Sequence, residues 1–457
     1  MRKPGKFRLL AALFLSFSLI AASCGDDDDE ATGTGDETAT DTETDTETET
    51  DTESEEGGGN GELAGMKGTT PLAELDDAFK DRLLEVDPDL VDFNYGPETY
   101  DAIIVSALAV EVAQSDGIEY ASEINGVTRD GEKCTDYAGC LELVKAGTDI
   151  DYDGVSGPLE FSGNGEPTVA SYGVLQFGDD NRIDDDLTEF VTANAPAEAD
   201  VEAVPVEGTR AGDGVFKVGT LLPETGSLAF LGPPEFAGAE LAINEINEAG
   251  GVLGVPAELS QGDSGDTTTD LANTTVDRLL SENVDLIVGA ASSSVSLTVI
   301  DKITGAGVVQ FSPANTSKAF STYADKGLYF RNAPSDILQG STLADLILAD
   351  GHTTVGILAL DDDYGTGLAE DLTAALTEGG AEVVETVIYD PAAQTFDAEV
   401  GQIATADPEA IVVIGFDESS RIISLMVEQG IGPQDKAVYG VDGNMGNALG
   451  ENFDAGE

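Results

Sequence analysis

Asp149, Asp151, Asp153, Gly154 and Glu160 fit D-x-D-x-D-G-x5-E, the spacing with which a helix-flanked loop wraps calcium in carboxylate oxygens. The surroundings argue against that chemistry. Ser156 takes an aliphatic position, Pro158 interrupts the loop, and no helical period follows Glu160. The stretch DYDGVSGP therefore reads first as a turn, with calcium the weaker alternative. Catalysis has less to build on. The single histidine, His352, sits in ADGHTTV at a helix-to-strand turn, and no G-x-S-x-G elbow presents a serine to it. Gly365 and Gly367 do not complete G-x-G-x-x-G, and no G-x-x-x-x-G-K-[ST] loop occurs, so nucleotide chemistry has no footing. No cofactor is implied, and the expectation is a protein that is not an enzyme.

Arg2, Lys3, Lys6 and Arg8 precede an apolar run from Leu9 to Ala22, the order of a secretory signal peptide. The run is shorter than the ~20 residues a membrane-spanning helix takes. Ala21, Ala22 and Ser23 before Cys24 resemble the lipobox of bacterial lipoproteins, although the family more often carries leucine where Ala21 stands. That resemblance implies an acylated Cys24 and anchoring to the membrane from outside the cytoplasm. In an exported chain, Cys134 and Cys140, six apart, are expected to form a short-loop disulfide. A zinc site would need two further Cys or His ligands beside this pair.

The formal net charge is −69. Four cations lie in the leader and sixteen carboxylates in residues 25–61, so residues 62–457 still carry −57. Such a field keeps the protein soluble and repels nucleic acid, which is set aside as a partner.

Residues 1–23 read as the lipoprotein signal peptide and 24–61 as a disordered acidic tether, since TETDTETETDTESEEGGGNG has almost nothing apolar to bury. As a flexible chain the tether would span ~33 Å r.m.s.. From Val215, β-branched runs such as VFKVGTLL, VDLIVGAA, TTVGILAL and AIVVIGF alternate with segments of helical period. That alternation predicts an α/β chain with parallel sheets, divided into lobe cores at 214–333 and 334–457 that meet near Asn332–Ser335. Residues 62–177 also look α/β. Tyr100, Ile103, Ile104, Ala107 and Leu108 make one buried stripe on a helix over Pro97–Gln114, and a second helix is read at 72–85. With so few strands the segment resembles a fragment of a domain. Residues 178–213 are rich in Asp, Glu, Ala and Pro and read as a linker.

The stretch from Val215 to Asn447 resembles the leucine/isoleucine/valine-binding family of ABC-importer receptors. The resemblance is carried by VGTLLPETGSLAFLGPPEFAGAELAINEINEAGGVLG, LIVGAASSS, FSPANTS, LALDDDYGTGLAEDL and YGVDGNMGN. Residues 63–177, with NYGPETYDAIIVSALAVEVA and GEKCTDYAGCLELVKAGTDIDYDGVSGPLEF, resemble the C-terminal third of the same family, yet they come first. The order implies a circular permutation joined through 178–213; a mis-assembled gene or two truncated neighbours are the alternatives. The family fold is the two-lobed periplasmic-binding-protein type 1 architecture, each lobe a mostly parallel sheet flanked by helices, joined by a hinge.

An interlobe cleft that takes an α-amino acid needs donors for a carboxylate and an acid for an ammonium. By resemblance, Ser293 meets the ligand carboxylate at a helix N-terminus, Thr316 touches both charged groups, and Ala314 acts through its backbone carbonyl. Asp442 stands where the family more often has glutamate to pair with the ammonium. Tyr364 closes over the ligand from the second lobe, Phe416 or Asp417 takes a second family position, and Phe230 faces the ligand side chain. Read without the family, Ser293 and Ser294 suit a helix cap, Phe416 a core and Asp442 a turn. The partners implied are an amino acid, the permease and ATPase subunits of the importer, and the membrane through the lipid; the chain itself is expected to be a monomer. A sensory receptor using the same cleft, or a non-functional rearranged chain, are the other readings.

Overall fold

Leu286–Gly289 and Ala410–Ile414 are buried at every residue, as strands covered on both faces by helices must be. The computed structural model describes residues 61–195 and 201–455. Cys24, the signal peptide and almost all of the tether lie outside them. In chain order the first elements are β1 (Lys67–Pro71), α1 (Asp77–Val86), α2 (Gly96–Ala113) and β2 (Glu132–Cys134). Next come α3 (Tyr137–Ala146), β3 (Ile150–Tyr152), β4 (Val169–Gln176) and β5 (Glu189–Asn194). An alternating run follows: β6 (Lys217–Leu221), α4 (Gly232–Glu248), β7 (Glu258–Ser260), α5 (Leu271–Ser281), β8 (Leu286–Gly289) and α6 (Ser293–Gly305), then β9 (Val309–Ser312) and β10 (Tyr329–Arg331). The last run is α7 (Asp336–Ala349), β11 (Thr354–Leu360), α8 (Asp363–Gly379), β12 (Glu382–Tyr389), α9 (Asp397–Ala406), β13 (Ala410–Ile414), α10 (Ser419–Glu428), β14 (Ala437–Gly440) and α11 (Asn447–Ala455).

Two sheets organise these elements into two lobes. The first, in order β10-β9-β8-β6-β7, is parallel throughout. The second, in order β12-β11-β13-β14-β1-β4-β5, is parallel as far as β1 and ends in two antiparallel strands. The short pair β2-β3 stands apart from both.

Residues 62–177 divide between the lobes instead of forming a body of their own. β1 lies between β14 and β4 in the second sheet, whereas α1, α2 and α3 bury Phe79, Leu83, Ile103, Ala107 and Leu141 in the core under the first sheet. The chain therefore passes between lobes after β1, after β3, after β5 and after β10. Periodicity could not show this, because it reports which face of a helix is buried and not against what.

The stretch read as a linker is also more built than its composition suggested. Val191 and Ala193 alternate with exposed neighbours along β5 and pack with Tyr172 and Leu338, so Glu189–Asn194 closes the second sheet as an edge strand. Beyond it, Arg210 pairs with buried Asp285 at 2.6 Å, and one oxygen of Asp116 accepts from the amides of Asp213, Gly214 and Val215. These bonds pin the connection to the first lobe.

Helices α2 and α4 cross almost in contact. A Cβ on Gly238 would stand 2.2 Å from the Gly96 carbonyl oxygen, while one on Gly367, in α8, would meet no atom within 4 Å. Gly238→Ala is expected to lower stability by about 1–3 kcal/mol through overpacking. Gly367→Ala should be neutral or stabilise by up to about 1 kcal/mol, since alanine is the better helix former. Urea unfolding of the two variants beside the parent protein checks the pair.

Candidate functional site

The cleft between the lobes is lined from both sides by loops that follow parallel strands, where helix N-termini point into the opening. On the first lobe, β8 ends and Ser292 caps α6, its hydroxyl accepting from the Val295 amide at 3.4 Å. Ser293 is thus not the cap. It is buried as the first helical residue, and its hydroxyl accepts from the Ser317 amide at 3.3 Å. The loop after β9 brings Ala314 and Thr316 beside it.

That loop is held from below by Arg331, which is fully buried at the end of β10. Its Nη1 donates to the carbonyls of Asn315 (3.1 Å) and Ser317 (2.9 Å), and its Nε and Nη2 donate to Glu166, the former at 3.0 Å. Burial alone would raise the Glu166 carboxyl, but the guanidinium outweighs it and holds the group below the usual carboxylate range. Glu166 lies in the stretch that carries the chain from β3 in the first lobe to β4 in the second.

On the second lobe, Asp362 caps α8 by accepting from the Gly365 amide, which sets Tyr364 in the first turn. The Tyr364 ring stacks on Phe416, centroids 5.4 Å apart and 12° from parallel. Its hydroxyl donates to Asp442 Oδ1 at 2.6 Å, and the hydroxyl of Tyr95 donates to Asp442 Oδ2 at 2.9 Å. Asp442 follows β14 and is almost wholly buried. Burial pushes its carboxyl up, opposed by the hydrogen bonds from Tyr364, Gln339 and Tyr95. Asp336, also fully buried, is raised first by burial and next by the charge of Asp442.

The lobes meet across this cleft. Ser294 Oγ donates to Asp362 at 3.0 Å and accepts from the Asp363 amide at 3.2 Å, and Lys318 reaches Asp371 and Glu370 on α8 at 2.9 and 3.1 Å. The space enclosed by Tyr95, Leu228, Leu231, Ser293, Thr316, Tyr364, Phe416 and Asp442 is small. About 20 Å3 of it is open to water centres, room for one or two waters.

Of the expected residues, Ser293, Ala314, Thr316, Tyr364, Phe416 and Asp442 come together around one cavity. Asp417 lines an outer chamber of about 170 Å3, with Asp266, Asp361, Asp362 and Glu418, instead of the inner one. Phe230 does not face the cavity. It lies half-buried in a tight 3-10 turn, Ala229–Leu231, whose period of three puts Leu228 and Leu231 on the cavity instead. Tyr95 was missed. It adopts a left-handed conformation, φ 61°, immediately before Gly96-Pro97 opens α2, and the NYGP turn was the available signal.

The acidic turn 149–160 is closed by a side chain from elsewhere. Lys133 Nζ lies 2.9 Å from Asp151, 2.9 Å from Asp153 and 3.2 Å from Glu160, so an ammonium stands where the calcium pattern would place an ion. Among the described residues no group of three or more His, Cys, Asp or Glu side chains is disposed to hold a metal, and no helix is long and apolar enough to cross a membrane. Cys134 and Cys140 are joined, with Cα atoms 5.4 Å apart. His352 is partly buried after α7, beside the edge of the Tyr439 ring.

Two α/β lobes joined by several crossings thus enclose a polar pocket between helix N-termini. The sequence pattern of the periplasmic binding protein family spans residues 215–456, and the chain belongs to that family. It is 26% identical over 209 residues to Leu/Ile/Val-binding protein homolog 3 of Brucella melitensis, covering 45% of this chain and 56% of that protein. It is 25% identical over 217 residues to the leucine-, isoleucine-, valine-, threonine- and alanine-binding protein of Pseudomonas aeruginosa, covering 47% and 57%. The chain thus spans little more than half the length of these relatives. Among solved structures, the branched-chain amino acid transporter substrate-binding protein LivJ of Streptococcus pneumoniae, in complex with isoleucine, matches 52% of this chain and 67% of its own at 28% identity and a TM-score of 0.47.

Replacing Glu166 by glutamine leaves the Arg331 charge buried without its counter-ion, at a cost of about 3–5 kcal/mol. Because the folded-state value of Glu166 is depressed, its contribution is present above the ordinary glutamate range and fades as pH falls through that depressed value. Chemical denaturation of parent and Glu166→Gln across pH 7 to 3 should show a large gap at neutral pH that narrows in acid.

Proposed function

We propose that this chain is the extracytoplasmic solute-binding subunit of an ABC importer, taking an amino acid of branched-chain type or a related small solute. The observation that carries the reading is Asp442. A buried acid, held through both oxygens by Tyr95 and Tyr364, faces Ser293, Thr316 and the N-terminus of α6 across a closed cleft. In that arrangement Asp442 takes the solute ammonium, while Ser293 and the first amides of α6 favour its carboxylate. Thr316 and the Ala314 carbonyl complete the polar contacts, and the Tyr364–Phe416 stack packs the apolar part. The small closed cavity requires the lobes to part to admit solute, and contacts made to solute only in the closed state drive the return. The permease and ATPase subunits would be its partners. Acylation of Cys24 would keep the protein at the outer face of the membrane.

We also propose that the chain order is a circular permutation of the binding-protein fold. Support comes from Asn181, whose Oδ1 accepts from the Leu63 amide at 3.0 Å while its Nδ2 donates to Asp454 at 2.8 Å. One side chain thus bridges the two places that an unpermuted chain would join.

A thermal-shift screen of the purified protein against the twenty amino acids, small amides and urea tests the first proposal. Solute at a hundred times its Kd should add about 2.7 kcal/mol of stability and raise Tm. Leucine, isoleucine or valine should give the shift and Asp442→Ala should remove it; a cooperative melt that none of them moves would reject the amino-acid assignment. For the second proposal, a re-ordered gene running residues 215–457 directly into 62–214, so that β5 and Arg210 are kept, should yield a protein with the same melt and ligand response. Failure of that protein to fold, beside a folded parent, would count against the permutation.

A further inference from the structure

The crossing of α2 and α4 buries two carboxylates that have nothing to pair with. Glu98 and Glu235 each lie in the first turn of their helix and are 3% and 0% exposed. Neither oxygen of Glu235 meets a donor, nor does Oε2 of Glu98. Asn332, where the chain leaves β10 for α7, donates its Nδ2 to the Glu98 carbonyl at 2.7 Å, and its own buried Oδ1 is likewise without a donor. Four unmatched oxygens therefore belong to three residues at one junction. Burial pushes both carboxyls up, Glu98 to about 8, and the charges acting on the pair push the same way: Glu98 acts on Glu235, and Asp101 acts on Glu98. Asp101 is occupied by Tyr152, Val155 and Ser156.

An ionised carboxylate is far too costly to bury uncompensated, so this pair is neutralised either by protons or by a bound cation. Two helix N-termini converge here, and their dipoles favour the carboxylates in charged form. Two negative charges and an all-oxygen donor set fit a hard divalent cation, with water completing the coordination. We propose that Glu98, Glu235 and Asn332 form a buried calcium site that ties the α2–α4 crossing to the hinge strand. The site is distinct from the acidic turn at 149–160, which Lys133 closes. It lies directly behind the solute cavity, because Tyr95 and Leu231, which immediately precede the two helices, line that cavity.

The test uses the purified protein stripped with EDTA and exchanged into buffer of constant ionic strength. Calcium chloride at millimolar concentration should raise Tm by about 3 °C or more, with one slowly exchanging calcium per chain by equilibrium dialysis. Magnesium or sodium chloride should do less. Glu235→Gln should abolish both the shift and the bound calcium, whereas Asp153→Asn in the acidic turn should keep both. Equal shifts from all three salts would mean general screening of the acidic surface and would overturn the site. So would an unmoved Tm together with a Glu235→Gln protein more stable than the parent at neutral pH, which would mean that protons neutralise the pair. Should Glu235→Gln not fold, Asn332→Ala serves in its place, and the absence of stoichiometric calcium on the parent protein alone rejects the proposal. The readouts need no solute, so they stand apart from the amino-acid assignment.

Discussion

The buried pair between Arg331 and Glu166 is the constraint around which the cleft is arranged. Arg331 closes the last strand of the first sheet, Glu166 lies on a separate crossing between lobes, and the guanidinium also holds the carbonyls of the loop that presents Thr316. A fully desolvated guanidinium is tolerable only with a carboxylate and oriented acceptors around it. Supplying them fixes the cavity-facing loop and the crossing between lobes together. Motion between lobes must therefore be absorbed by the backbone on either side of this pair.

How much of this could be read from residues alone depends on where the burial lies. From Val215 onward the β-branched runs and the helical stripes report local burial, and the sheets follow them closely. The division of residues 62–177 between two lobes was not legible. The stripe on α2 states that a face is covered, and nothing in it distinguishes α4 from a partner within the segment. The edge strand Glu189–Asn194 was hidden for a related reason, since an antiparallel edge needs only Val191 and Ala193 to face inward and its acidic neighbours dominate the composition.

The site shows the same boundary at the scale of single side chains. Motif order brought Ser293, Ala314, Thr316, Tyr364, Phe416 and Asp442 to one cavity. It set Phe230 at the cavity, where Leu228 and Leu231 stand on either side of it in the chain, and it overlooked Tyr95 because that residue arrives from the other end of the chain. The aspartate pattern at 149–153 failed for a third reason. Spacing describes the loop's own carboxylates and is blind to Lys133, which supplies the positive charge that the pattern would otherwise leave to an ion.

The pairing of β1 with β14 sets Lys67 opposite Tyr439, so neighbouring strands at the middle of the second sheet come from nearly opposite ends of the chain. Loop-closure entropy makes such a contact late to form, and high contact order slows folding. During synthesis β1 would emerge early and, although β4 can pair one edge, would keep the other open until almost all the remaining residues had followed. A lobe whose central strand must wait in this way cannot complete itself until nearly the whole chain has been made. The same delay leaves a sticky intermediate in which a dense negative charge would be the main defence against aggregation.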